Sequence, residues 1–147
     1  MKAHPEAPAQ AESIFHRMSK LLGLKLDSEC DVVRVVANGI SAYTYKRIVG
    51  KLKFPATLVA SESTVRRRLA SNGRFTTAES ERIVRLSRVF AEAVQLFGNE
   101  EAALKWLNTS ADYVPGQLPI TPMALAVSDC GARLIESHIH RTAWGIY

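Results

Sequence analysis

Side chains that could carry out catalysis or bind a metal are few in this sequence and lie far apart. Cys30 and Cys130 are 100 positions apart, which excludes a CxxC metal motif and a disulfide framework. His138 and His140 are two residues apart on a predicted helix, so their side chains point in different directions and cannot share one metal ion. The sequence contains neither a recognisable nucleophile–base arrangement nor a glycine-rich phosphate loop. We therefore predict no catalytic residue, no metal site and no cofactor.

Basic side chains are the second group with evident chemistry, and they are concentrated in one segment. Residues 42–74 hold eight Lys or Arg against one acidic residue, Glu62. Residues 1–41 and 75–98 are neutral, and residues 99–147 carry more acidic than basic side chains. A local positive excess in a small domain is typical of a polyanionic partner, so we expect nucleic acid binding. The alternative is an ordinary solvated basic surface.

Size and composition indicate a soluble globular chain. The 147 residues are 47% hydrophobic and 22% charged, which is ordinary for a folded domain. No run of about 18 apolar residues is present, and the first ten residues lack the apolar core of a secretory signal. With only two cysteines, a reduced cytoplasmic location is the expectation.

Apolar residues recur with helical spacing along most of the chain, which predicts an all-α fold of about seven helices. Candidate helices cover residues 12–22, 29–38, 41–53, 55–60, 61–70, 76–97, 99–107 and 129 onward, with one more turn at 122–127. The valine-rich run at 32–36 could also form a strand. Ser28 is a candidate cap for the second helix. The longest helix has an apolar face that we predict to be core, formed by Ile83, Leu86, Phe90, Ala93 and Phe97; Trp106 and Leu107 are also predicted to pack in the core.

A natural boundary lies near Gly98, after the longest helix. We predict a flexible N-terminus at residues 1–11, a helical DNA-binding unit at residues 12–97, and a small helical protein-binding domain at residues 98–147.

Residues 54–71, FPATLVASESTVRRRLAS, have the organisation of a helix-turn-helix unit. Val65 and Leu69 are spaced to face inward, leaving an outer face for the major groove. The DNA-binding candidates are the polar and basic residues of the second segment: Ser63, Thr64, Arg66, Arg67 and Arg68. Consecutive arginines on a helix point about 100° apart, so one of the three should pack against neighbouring residues. An ordinary pair of basic helices is the alternative.

The last seven residues include Arg141, Trp144 and Tyr147, next to Gly145. Trp, Tyr and Arg are the residue types that dominate protein–protein interfaces, so this end is a candidate partner-binding site. The alternative is that Trp144 and Tyr147 fold back onto their own domain.

Taken together, residues 39–147 resemble the Xre/MbcA/ParS family of antitoxins, the partners of RES-domain toxins. The resemblance is carried by the helix-turn-helix-like STVRRRL, the long helix TTAESERIVRLSRVFAEAVQLFG, and the C-terminal segments NEEAALKWLNT, ITPMALA and SDCGARLIESHIHRTAWGIY. Each segment is weak alone, whereas their order and combination are specific.

The resemblance implies that the protein is an antitoxin and not an enzyme. Such antitoxins block the active site of a toxin that consumes NAD or transfers ADP-ribose from it, repress their own operon, and self-associate as dimers. By the same resemblance, the toxin-binding candidates at the chain end are His140, Arg141, Trp144, Gly145 and Tyr147. The alternative function is a helix-turn-helix transcriptional regulator without a toxin partner.

Overall fold

The computed structural model describes residues 13–143 and Gly145, and the regular secondary structure of this part of the chain is helical. The α-helices are α1 (Ile14–Leu22), α2 (Glu29–Asn38), α3 (Ala42–Leu52), α4 (Glu62–Ala70), α5 (Thr77–Phe97), α6 (Glu100–Leu107), α7 (Pro122–Leu125) and α8 (Asp129–Ala143). Extended pairing in the described residues is limited to two isolated bridges, Ser41 with Arg74 and Ala111 with Ile120. The predicted all-α class is confirmed. None of the described helices is long and apolar enough to cross a membrane. The predicted flexible N-terminus, residues 1–11, lies outside the described residues.

Short polar side chains define where most helices begin. Ser41 and Ser61 each accept a hydrogen bond from the backbone amide three residues later, at the starts of α3 and α4. Thr76 and Glu79 form a reciprocal capping box at the start of α5. Ser28 is the N-cap residue of α2, as predicted, but its hydroxyl makes no cap bond. Instead, the Asp31 carboxylate accepts the Asp27 amide at 2.8 Å.

The segments 55–60 and 32–36 were the two places where the predicted secondary structure was wrong or left open. The predicted short helix at residues 55–60 is a single 3-10 turn, Ala56–Leu58, which starts after Pro55. The Leu58 amide donates to the Pro55 carbonyl oxygen and the Val59 amide to that of Ala56, which are the i→i+3 bonds of a 3-10 turn. The valine-rich run at 32–36 is helical, as part of α2.

The long helix α5 is the centre of the core, and α1, α2, α6 and α8 all pack against it. Ile83, Leu86, Phe90 and Ala93 are buried as predicted. The prediction for Phe97 is wrong, since 37% of its surface is exposed. Phe97 is the last residue of α5, directly before Gly98 turns the chain with φ 81°, and its ring is covered by Trp106 at a centroid distance of 5.8 Å.

Gly131 lets α7 and α8 approach closely. It occupies the first turn of α8 and is buried. A methyl group at this position would overlap the carbonyl oxygen of Leu125 at the end of α7. Glycine is therefore required here by space rather than by its backbone angles. This contact helps to hold the start of α8 against the rest of the fold.

Candidate functional site

The helix α4 carries the predicted DNA-binding residues, and one of its faces packs against the rest of the fold. Val65 is buried and Leu69 is half-buried, as the spacing predicted. Ser61 accepts the Thr64 amide at 3.2 Å, which fixes the first turn. The opposite face of the helix is left to solvent, so α4 presents an exposed surface on a rigid support.

The three consecutive arginines of α4 have different roles. Arg66 and Arg67 are exposed and form no ion pair with another described residue. Arg68 points back toward the core, where its Nε lies 2.8 Å from Oε1 of Glu79 and its guanidinium lies 6.0 Å from the centre of the Phe75 ring. Two of the three arginines are therefore available to an external anion, and Arg68 links α4 to α5.

Glu79 is ionised despite being buried. Burial alone would raise the pKa of its carboxyl, but the hydrogen bond from the Thr76 amide and the interactions with Arg68 outweigh that effect and lower the pKa. The carboxylate thus caps α5 and pairs with α4 at the same time.

The hydroxyl groups at the start of α4 form a small network. The Ser61 hydroxyl donates to Oγ1 of Thr64 at 2.8 Å and lies 3.3 Å from Oγ of Ser63. Ser63 is exposed, whereas Thr64 is half-buried and used by the cap. Of the two, Ser63 is the one better placed to contact a ligand.

The other basic residues of segment 42–74 also divide into those that have a partner within the chain and those that have none among the described residues. Arg47 donates to the Lys20 carbonyl oxygen at 2.9 Å, Lys51 pairs with Glu100 at 2.7 Å, and Arg74 donates to the Gly39 carbonyl oxygen at 2.8 Å. The exposed basic residues of this segment that form no ion pair or side-chain hydrogen bond within the described part of the chain are Lys46, Lys53, Arg66 and Arg67. We refer to these four as the free basic set.

The end of α8 carries the predicted partner-binding residues. Ile135 and Ile139 are buried, which attaches α8 to the core, whereas His140 and Arg141 are exposed. Gly145 is exposed with φ 70°, and its amide donates to the Thr142 carbonyl oxygen at 3.1 Å. The candidates Trp144 and Tyr147 lie outside the described residues.

An aromatic cluster near α8 was not predicted from the sequence. Tyr113, in the loop after α6, meets His138 edge-to-face with ring centroids 5.2 Å apart. Burial raises the pKa of Tyr113, and a side-chain hydrogen bond from Trp106 partly offsets this rise. Trp106 is half-buried against the core and Leu107 is fully buried, in line with their predicted packing. The residues could be read from the sequence, but the contact between Tyr113 and His138 depends on how the loop after α6 folds.

The described residues contain no group of three or more His, Cys, Asp or Glu side chains that could hold a metal ion. Both cysteines are exposed free thiols. The candidate binding features are therefore the free basic set, which includes Arg66 and Arg67 of α4, and the exposed end of α8.

Part of the amino-acid sequence is similar to that of two antitoxins. Over 93 residues, 63% of the chain, it is 38% identical to Antitoxin Xre of Yersinia enterocolitica, covering 60% of that protein. The chain is similar to Xre antitoxins. A second protein of that name, from Photorhabdus laumondii, is 35% identical over 81 residues, which is 54% of this chain and 53% of the relative. The chain thus spans between half and two thirds of the length of these relatives. No family model matches it.

Proposed function

We propose that this protein is the antitoxin of a type II toxin–antitoxin system. In this proposal it binds a RES-domain toxin that consumes NAD or transfers ADP-ribose from it, and it blocks the active site of that toxin. The observation that carries the proposal is the similarity to two proteins named Antitoxin Xre. The RES identity of the toxin rests on the family resemblance of the C-terminal segments.

The exposed end of α8 supports a toxin-binding role. The helix is anchored by Ile135 and Ile139, and beyond this anchor His140 and Arg141 face solvent. Arginine supplies several hydrogen-bond donors on a long side chain and is enriched at interface centres. We assign toxin binding to residues 98–147, with His140, Arg141, Trp144, Gly145 and Tyr147 as the contacting residues.

Neutralisation can be tested by co-expressing the chain with a RES-domain protein encoded beside its gene. Deleting residues 141–147 should restore toxicity, because the deletion removes the contacting end and no residue that is buried in the described structure. An Arg133→Ala variant is a matched control, since Arg133 is exposed on α8 and pairs with Asp129 one turn earlier. Continued suppression of toxicity by the truncated chain would refute the assignment.

We further propose that residues 12–97 form a DNA-binding unit that represses the antitoxin's own operon in the cytoplasm, with the protein acting as a homodimer. The exposed, unpaired side chains of Arg66 and Arg67 on α4 support this role, as do Lys46 and Lys53. The same features favour the alternative function, a transcriptional regulator without a toxin partner. The two functions differ in what the C-terminal deletion does, because a pure regulator has no toxin to neutralise.

A further inference from the structure

A groove of about 760 Å³ runs between α2, α5 and α8. Its apolar lining is supplied mainly by small aliphatic side chains, namely Val32, Val33, Val36, Ala37, Val84 and Ala132. Charged side chains from all three helices line the rest of it.

The helix α2 carries four valines, and they do not all face the core. Val32 and Val36 are buried against α5, and Val35 is half-buried. Val33 points the other way, and 66% of its surface is exposed at the edge of the groove. The apolar surface of α2 therefore extends beyond the part that α5 covers, and the side chain of Val33 is left exposed in the single chain.

The charges of the groove leave it acidic. Its arginines are already engaged: Arg88 pairs with Glu29 at 2.7 Å, Arg133 pairs with Asp129 at 3.1 Å, and Arg85 donates to the Val127 carbonyl oxygen at 2.6 Å. Glu136, in contrast, forms no ion pair with any other described residue. A segment that fills this groove should therefore combine an aliphatic side chain with a cation.

The outer face of α2 has that combination. Arg34 follows Val33, and 72% of its side chain is exposed. Its ion pair with Asp31, three residues earlier, lies on the surface and contributes little to stability. One surface of the molecule thus supplies both the groove and the ridge that complements it.

We propose that α2 of a second copy of this chain docks in the groove. The two copies would form a dimer with a two-fold axis, in which the α2 helix of each copy lies in the groove of the other. In such an interface the same patch serves both copies, so each Val33 packs on the apolar floor of the other copy and each Arg34 faces the other copy's acidic rim. The proposal rests on the self-association included in the proposed function and assigns it to a surface.

The first test measures self-association of the purified chain by sedimentation equilibrium, without toxin or DNA. At about 100 μM, where a dimer of even micromolar affinity is almost fully formed, the wild type should be dimeric. Val33→Glu should weaken the dimer at least about tenfold, because it places a carboxylate on an apolar floor beside an acidic rim. Arg34→Glu should weaken it in the same direction.

Leu118→Glu is the matched control, because Leu118 is 87% exposed and lies outside the groove. This variant should remain dimeric, and thermal melting followed by circular dichroism should show that all variants fold. The proposal is overturned if the wild type is monomeric at that concentration, if the dissociation constant of the Val33→Glu dimer rises by less than about tenfold, or if Leu118→Glu raises it to the same extent.

A second test measures whether position 33 becomes covered in the dimer. In a background with Cys30→Ser and Cys130→Ser, the thiol of Val33→Cys should react with a maleimide more slowly at about 100 μM, where the dimer forms, than at a concentration at which it dissociates, whereas Leu118→Cys should react at the same rate at both. Equal protection at both positions would contradict the assigned surface. Because neither test involves a toxin, loss of neutralisation and loss of self-association are measured separately.

Discussion

Nε of Arg68 lies 2.8 Å from Oε1 of Glu79, and this ion pair links the end of α4 to the first turn of α5. Glu79 also caps α5 through the Thr76 amide. The orientation of the candidate DNA-reading helix is therefore determined by the helix at the centre of the core. In the proposed DNA-binding role, Arg68 would act through this support, whereas the exposed Arg66 and Arg67 would contact the nucleic acid.

Replacing Arg68 should destabilise the protein, although it sits in a run of surface-like arginines. Arg68→Ala leaves the largely buried Glu79 carboxylate without its cation, and we expect the free energy of unfolding to fall by about 2 kcal/mol. Arg66→Ala is the control and should change it by less than about 0.5 kcal/mol. Urea unfolding measures both. Equal stabilities of the two variants would contradict the role given to Arg68.

Reversing the two exposed arginines should remove DNA binding without unfolding the protein. Arg66→Glu combined with Arg67→Glu should weaken binding to the DNA upstream of the gene at least about tenfold and lower the slope of log affinity against log salt by about two. Fluorescence anisotropy at several salt concentrations measures both effects. Lys105→Glu, at an exposed position on α6, should leave the affinity nearly unchanged. Unchanged affinity of the double variant would refute the role of α4.

The carboxyl of Glu92, between α5 and α8, should make stability depend on pH. Burial and the nearby Glu136 raise its pKa to about 7, even though Arg88 lowers it somewhat. Its Oε2 atom is buried and has no hydrogen-bond partner among the described residues. The folded protein holds this proton more tightly than the unfolded chain, so protonation of Glu92 stabilises the folded state. This stabilisation is fully present below about pH 4.5 and is lost as the pH rises through 7.

The corresponding measurement compares unfolding of the wild type and Glu92→Gln at pH 5 and pH 8. We expect the variant to gain about 2 kcal/mol relative to the wild type at the higher pH, since the amide cannot ionise. Other carboxyl groups titrate in both proteins and cancel in the difference. A difference that stays constant with pH would show that Glu92 does not titrate in this range.

Two glycines in helices should respond in opposite ways to alanine. Gly131→Ala would force its methyl group against the Leu125 carbonyl oxygen, so we expect a loss of about 2 kcal/mol or more. Gly50→Ala, in α3, meets no atom within contact distance and should gain about 0.5 kcal/mol from the higher helix propensity of alanine. Thermal unfolding of both variants gives the comparison. The explanation fails if both substitutions destabilise equally.

Local sequence patterns predicted most of the helices because their causes are local. The Thr76–Glu79 capping box and the burial of Val65 each depend on residues within one or two turns. The 3-10 turn after Pro55 shows the limit of such patterns, because periodicity does not separate one tight turn from the start of a helix.

Features of the candidate site that depend on distant segments could not be predicted in the same way. The spacing of the three arginines indicated that one must point inward. It did not indicate that the Arg68 guanidinium would contact the carboxylate of Glu79, which lies eleven residues later and on the next helix. The exposure of Phe97 depends on how α6 folds back after Gly98. The groove involves α2, α5 and α8, whose residues are far apart in the chain.

The central position of α5 has a consequence for how relatives of this protein can diversify. Its faces contact α1 and α2 on one part of the chain and α6 and α8 on the other. A chimera that joins the first half of one relative to the second half of another would therefore combine helix surfaces that were selected against different neighbours. Exchange of the two proposed binding functions between such chains should succeed only where the residues of α5 that contact both halves are exchanged with them.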